Sequence, residues 1–216
     1  MQYHNDLFDR LPGEKQRRIL ETATDEFSKL GYQTANINVI AKKCGVSVGA
    51  LYKYFGTKEN LFLSVCSAAV RQLSDSLEDV ERTEGGLTEK IEKLLRIIQS
   101  HSRKNQSLIN LYNEITTEAN RELAARLSFQ MESISAGYYR RLLEQAREDG
   151  RIPRDTDSAT AAYCLDNLFM ALQFSYASEY YRNRMKIYVS DDIFGDDERV
   201  VRGMMQFIKR ALNIAE

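Results

Sequence analysis

The stretch Tyr32–Lys58 reads YQTANINVIAKKCGVSVGALYKYFGTK, and its pattern decides the fold. Ile37, Ile40, Ala41 and Cys44 recur at helical spacing behind Asn36, a residue suited to an N-cap, and ahead of Gly45, which tolerates a left-handed backbone. Ser47 can cap a second short helix, in which Leu51 and Phe55 lie one turn apart and face the core. Two such helices joined at Gly45-Val46-Ser47 predict a helix-turn-helix, whose second helix is the kind of element that enters a DNA major groove. The run carries Lys42, Lys43, Lys53 and Lys58 and no Asp or Glu, whereas the whole chain has a formal net charge of -1. The positive field is therefore local, as expected of a small DNA-reading head on a non-basic body.

With Leu51 and Phe55 inward, Gly49, Tyr52 and Lys53 project together on the opposite side of the second helix. Those three, with Val48 at the helix start, are the direct-contact candidates. Gly49 lets the backbone approach closely, Val48 suits a thymine methyl, Tyr52 reaches a base edge or phosphate, and Lys53 offers a point charge. Thr57 can cap a following helix whose first amides, together with Lys58, make an anion site for a backbone phosphate. The competing reading of the same run is two amphipathic core helices with a lysine-rich solvated face.

Outside the run, the 216 residues hold only 2 Pro and 11 Gly and no alternating β-branched stretch, so the expected fold class is all-α. Residues 1–60 read as a three-helix helix-turn-helix head and 61–216 as a larger helical body, with about nine helices in total. The first helix runs from Glu14 to Leu30, closed by Gly31. A fourth runs from Thr57 toward Glu81, making it the natural mechanical link between head and body, and Gly85-Gly86 ends it. No run approaches the roughly 18 to 20 apolar residues of a membrane span, and MQYHNDLFDRLPGEK lacks a signal-peptide core, so a cytoplasmic location is expected. Cys44, Cys66 and Cys164 lie far apart inside helical patterns and read as buried free thiols of a reducing compartment.

The last two helices, Thr156 to about Val189 and Glu198 to Ala215, carry more than one apolar stripe. On the second of them, Val200, Phe207 and Ala211 lie off the main face. A helix wet on one side needs a single stripe, so a second burial surface is expected, either a twofold dimer interface or deep burial in one chain. Between the two helices, SDDIFGDDE reads as a solvated acidic connector. An effector pocket is expected in the body, with Ile98, Leu111, Tyr112, Ile115, Met131, Ile134, Tyr138, Phe169 and Phe174 as wall candidates. Tyr112 and Tyr138 stand out because a phenol both lines a cavity and hydrogen-bonds its occupant. The apolar bias suits a small hydrophobic or amphipathic molecule.

Signs of catalysis are few. No HExxH, GxGxxG or GxxxxGK[ST] string occurs, His4 and His101 lack partners at metal-ligand spacing, and no cofactor or metal is expected. His101 reads as a surface or capping residue, and Glu78-Asp79 and Asp191-Asp192 as solvated surface.

From Glu14 to Leu61 the chain resembles the N-terminal domain of TetR-family transcriptional regulators. The resemblance rests on ILETATDEFSKLGY (19–32), Ile40-Ala41, Gly45-Val46-Ser47, Gly49, Leu51-Tyr52, Tyr54-Phe55, Lys58-Glu59 and Leu61. It implies that Val48, Gly49, Tyr52 and Lys53 sit in the groove and that Tyr54 and Lys58 hold phosphates. Where many relatives carry a Thr pair before the second helix, this chain has Ala35-Asn36, which keeps a cap and loses a hydroxyl. Tyr54 stands where a His is frequent. The resemblance also implies pairing of the last two helices with their twins in a homodimer, reading a palindromic operator in double-stranded DNA, and release of a repressor by a small molecule. The alternative is a body that acts as a protein-interaction module above a head making only non-specific phosphate contacts. A helical enzyme would need a polar catalytic cluster that the sequence does not display.

Overall fold

The computed structural model describes residues 2–116 and 121–214, which form eleven α-helices, one short 3-10 turn and no strand. The head comprises α1 (Asp6–Asp9), α2 (Gly13–Thr34), α3 (Ile37–Cys44) and α4 (Val48–Phe55). Next come α5 (Lys58–Glu81), α6 (Leu87–Lys104), α7 (Gln106–Thr116) and α8 (Arg121–Glu148). The chain ends with α9 (Ser158–Ala177), α10 (Glu179–Tyr188) and α11 (Asp197–Ala211).

Two helices exceed the nine expected. One is α1, in the segment that sequence patterning left unassigned. Its Phe8 enters the head core, with its ring 4.8 Å from that of Phe55. The other arises at Ser178, whose extended backbone (φ -92°, ψ 132°) splits the expected Thr156–Val189 helix into α9 and α10. Gly31, at φ +73°, ends the regular part of α2 where a closing glycine was expected.

The apolar residues gather into two cores. In the head, Ile19, Ala23 and Phe27 of α2 meet Ile40 of α3, Leu51 and Phe55 of α4, and Leu61, Phe62 and Val65 of α5. Leu111 of α7 and Leu127 of α8 also join this core, so the body reaches into the head at a second place besides α5. The body core brings Leu77 and Val80 of α5 together with Leu94 and Leu95 of α6, Leu143 of α8, Leu165 and Phe169 of α9, and Ile208 of α11.

A polar network fixes α6, α9 and α11. Gln99 donates to the Tyr176 hydroxyl at 2.9 Å, which donates to Asp197 at 2.8 Å, and Arg103 reaches the same carboxylate at 2.6 Å while lying over the Tyr176 ring. Burial and the Asp197 charge push the Tyr176 phenol up to about 12, so it stays a donor at any working pH.

The extra stripes of the last helices resolve unequally. Ala162, Leu165, Phe169, Leu172, Phe174 and Tyr176 are all buried within the chain, because α9 lies among α6, α7, α8 and α10. Its all-round apolar character thus has an intrachain cause, although Tyr163, 69% exposed, and Cys164, expected to be buried, face solvent because they lie on the side of α9 away from those helices. On α11, Val200 is buried, but Phe207 is 59% exposed and Ala211 is exposed beside it.

Candidate nucleic-acid interface and body cavity

Local chemistry sets the helix-turn-helix. The Asn36 side chain accepts from the Asn38 amide at 2.8 Å, Ser47 from Ala50 at 3.1 Å and Thr57 from Asn60 at 3.0 Å, so α3, α4 and α5 each start on a side-chain cap. Gly45 turns the chain between α3 and α4 at φ +70°, ψ 35°, a left-handed conformation. Buried Glu26 of α2, 3% exposed, receives Lys43 of α3 at 2.8 Å and ties the supporting helix down.

On this frame Leu51 and Phe55 point inward, whereas Gly49 and Lys53 are exposed and Tyr52 is 49% exposed. A Cβ built on Gly49 would meet no atom within 4 Å, so its surface is open to close approach. The remaining DNA candidates are placed differently. Val48 and Tyr54 are half-buried against the head core. Lys58 donates to the Gln33 carbonyl at 3.0 Å and lies over the Tyr32 ring, and burial lowers its pKa. Its ammonium therefore braces α5 against the end of α2, while the capped start of α5 stays beside it.

Sequence reasoning missed the α1 clamp. The Asn5 amide donates to the Tyr54 carbonyl at 2.9 Å, and the Asn5 side chain donates to the Lys53 carbonyl, so the N-terminal segment holds the last turn of α4. Gly45-Val46-Ser47-Val48-Gly49 also spells the GxSxG letters of a hydrolase elbow. That elbow needs a strand-to-helix turn, and here the serine caps a helix that follows another helix.

The body holds a cavity of about 150 Å³ walled by α5, α6, α7, α8 and α9. Each wall helix contributes a stripe at helical spacing, such as Leu108, Leu111, Tyr112 and Ile115 on α7 and Asp166, Phe169, Met170 and Gln173 on α9. Of the sequence candidates, Ile98, Leu111, Tyr112, Ile115 and Phe169 line it. Three others do not. Ile134 and Tyr138 pack into the body core, and the Phe174 ring is taken up by Tyr112 at 5.6 Å and Tyr181 at 5.2 Å. The Met131 side chain lies outside the described residues. His101, expected at the surface, is half-buried in the wall, and desolvation lowers its pKa.

Two wall carboxylates were not foreseen. Glu132 accepts from the Tyr112 hydroxyl at 2.7 Å. Asp166 is pushed up to about 6 by burial first and by the Glu132 charge second, while a Ser135 hydrogen bond works the other way. Cys66 and Leu111 belong both to this wall and to the head core, so one layer of side chains separates the cavity from the head.

Among the described residues no helix is long and apolar enough to cross a membrane. The chain is 24% identical over 170 residues to the uncharacterized HTH-type transcriptional regulator YhgD of Bacillus subtilis, covering 77% of this chain and 86% of that protein. Other curated relatives match at higher identity over shorter stretches, which make up 18% to 39% of their own length. Among solved structures, FadR from Bacillus subtilis in complex with stearoyl-CoA superposes with a TM-score of 0.67 at 18% identity, covering 86% of this chain and 95% of that one. AibR in complex with isovaleryl coenzyme A and operator DNA gives 0.64 at 19% identity, covering 89% and 97%. At these identities the structural matches speak to the fold. The model for bacterial regulatory proteins of the tetR family matches residues 19–65, from within α2 to the first turns of α5, so the helix-turn-helix region is similar to that family's.

Proposed function

We propose that the protein is a homodimeric, ligand-responsive repressor that reads a palindromic operator with α4 and leaves it when a small hydrophobic or amphipathic molecule enters the body cavity. The observation that carries the reading is the solvent-facing surface of Gly49, Tyr52 and Lys53 on a helix capped at Ser47 and clamped by Asn5. In this reading Tyr52 and Lys53 meet the major groove and Gly49 allows the backbone close, with Val48 at the helix start. Asn36, Ser47, Tyr54 and Lys58, with the first amides of α5, take backbone phosphates. Phe207 and Ala211 of α11 and Tyr163 of α9 are exposed apolar side chains available to a second copy.

Coupling follows from the shared layer. An occupant pressing on Leu111 and Cys66 presses on the head core, and α5 and α7 carry the displacement to Lys58 and α4. A reading that joins effector and DNA binding is supported by the likeness in fold to AibR, solved with isovaleryl coenzyme A and operator DNA, and to FadR, solved with stearoyl-CoA.

The test is a mobility-shift titration against the DNA flanking the protein's own gene, at two salt concentrations and with competitor DNA. A specific complex that survives competitor is expected. Binding that competitor abolishes at both salts would leave only phosphate contacts and defeat the reading.

A further inference from the structure

We infer that the body cavity takes an organic cation, a small ammonium compound with an aromatic or branched alkyl body; this rests on the cavity being the effector site proposed above. Its walls are mostly apolar, with Leu73, Ile97 and Ile98 among them, which favours an organic occupant. Into this apolar space the chain places two carboxylates, Glu132 from α8 and Asp166 from α9. Among the described residues neither pairs with a Lys or Arg within 4.0 Å, and the wall's one basic side chain is His101. Unpaired carboxylates in a desolvated site are costly, and a cationic occupant removes that cost.

The rings point the same way. Tyr112, Tyr139 and Phe169 line the cavity, with the Tyr139 and Phe169 rings 5.4 Å apart, and aromatic faces beside carboxylates are the recurring cradle for quaternary ammonium groups. The Tyr112 hydroxyl donates to Glu132, which fixes the orientation of that carboxylate in the wall. A carboxylate or phosphate head group would meet two like charges in the same space.

The charge on Asp166 makes the affinity depend on pH. The groups facing it from the other walls are Glu132 and Tyr139 of α8, Tyr112 of α7, His101 of α6 and the Cys66 thiol of α5. Both tyrosines and Cys66 are raised and stay neutral, and His101 is lowered. Asp166, pushed up to about 6, is thus the wall group that gains charge as pH rises from 5 to 7.5, and a cation gains affinity with it.

Calorimetric titration of the full chain with benzyltrimethylammonium, its neutral isostere neopentylbenzene and the anion phenylacetate tests this. The cation is expected to bind about tenfold or more tightly than either other probe at pH 7.5. Asp166→Asn and Glu132→Gln should each weaken it about tenfold while leaving neopentylbenzene within about threefold. Its affinity should rise between pH 5 and pH 7.5, and Asp166→Asn should flatten that rise. Equal or tighter binding of phenylacetate or neopentylbenzene, an unchanged cation affinity in both acid variants, or no binding of any probe overturns the inference. A mobility shift with the same cation separates the two proposals. Acid-dependent cation binding that leaves the DNA complex intact keeps the ligand class and defeats the effector reading.

Discussion

The head and the body solve opposite problems with the same kind of helix. In the head, side chains cap α3, α4 and α5, the core is filled by Ile19, Phe27, Leu51 and Phe55, and the buried charge of Glu26 is met by Lys43. The body keeps a cavity of about 150 Å³ with two carboxylates in its wall, and among the described residues its buried Ser102 and Ser158 hydroxyls have no hydrogen-bond partner. One region commits its interactions to a single geometry, as the proposed DNA-reading surface would require. The other keeps room and, among the described residues, carboxylates without a Lys or Arg partner, as the proposed effector site would require. Stability and function therefore separate along the chain, and substitutions should separate them too.

The largest effect is expected at Phe55, where Phe55→Ala should cost about 3–5 kcal/mol and remove DNA binding with it. Phe169→Ala should cost less, near the lower end of about 3–5 kcal/mol, because Phe169 already borders a void and loses fewer contacts. Equal losses in chemical denaturation would break the contrast. Lys43→Met comes next, leaving the Glu26 carboxylate buried and unpaired at a cost of about 1–3 kcal/mol, discounted for the half-exposed lysine.

Asp166→Asn should act in the opposite direction. The folded-state pKa of Asp166 is raised, so its favourable contribution is complete below the usual aspartate range and lost as pH climbs through about 6. At pH 7.5 the ionised group therefore strains the empty cavity, and its removal should stabilise the protein by about 1–2 kcal/mol after allowance for solvent screening. Below about pH 4 the gain should vanish. A variant less stable than the parent at pH 7.5 would show that the carboxylate is already compensated. Smallest in stability is Lys58→Ala, at about 1 kcal/mol for the lost brace to Gln33. On DNA it should weaken all sequences alike and reduce the salt slope by about 1.

The head was largely legible because its determinants are local. Asn36, Ser47 and Thr57 announce caps within three residues of their partners, and Gly45 announces a left-handed turn. The α1 clamp was not legible, since Phe8 meets Phe55 and Asn5 meets Tyr54 across nearly fifty residues of chain. Lys58 shows the same limit, because spacing gives its position while the Gln33 carbonyl decides where its ammonium goes. In the body, periodicity finds inward faces without saying which border a void. Ile134, Tyr138 and Phe174 face inward into packed core, whereas Leu111 and Tyr112 reach the cavity. One signal was available and passed over, for Asp166 is the sole charged residue in the twenty of α9, and an acid there needs a reason.

The most direct test is the DNA affinity of a Tyr52→Ala, Lys53→Ala double variant, measured by mobility shift on the flanking DNA beside the parent protein. Both side chains are exposed, so the melting temperature should hold while specific affinity falls about a hundredfold or more. A variant that melts like the parent and binds the same site equally well would show that the outward face of α4 does not read DNA.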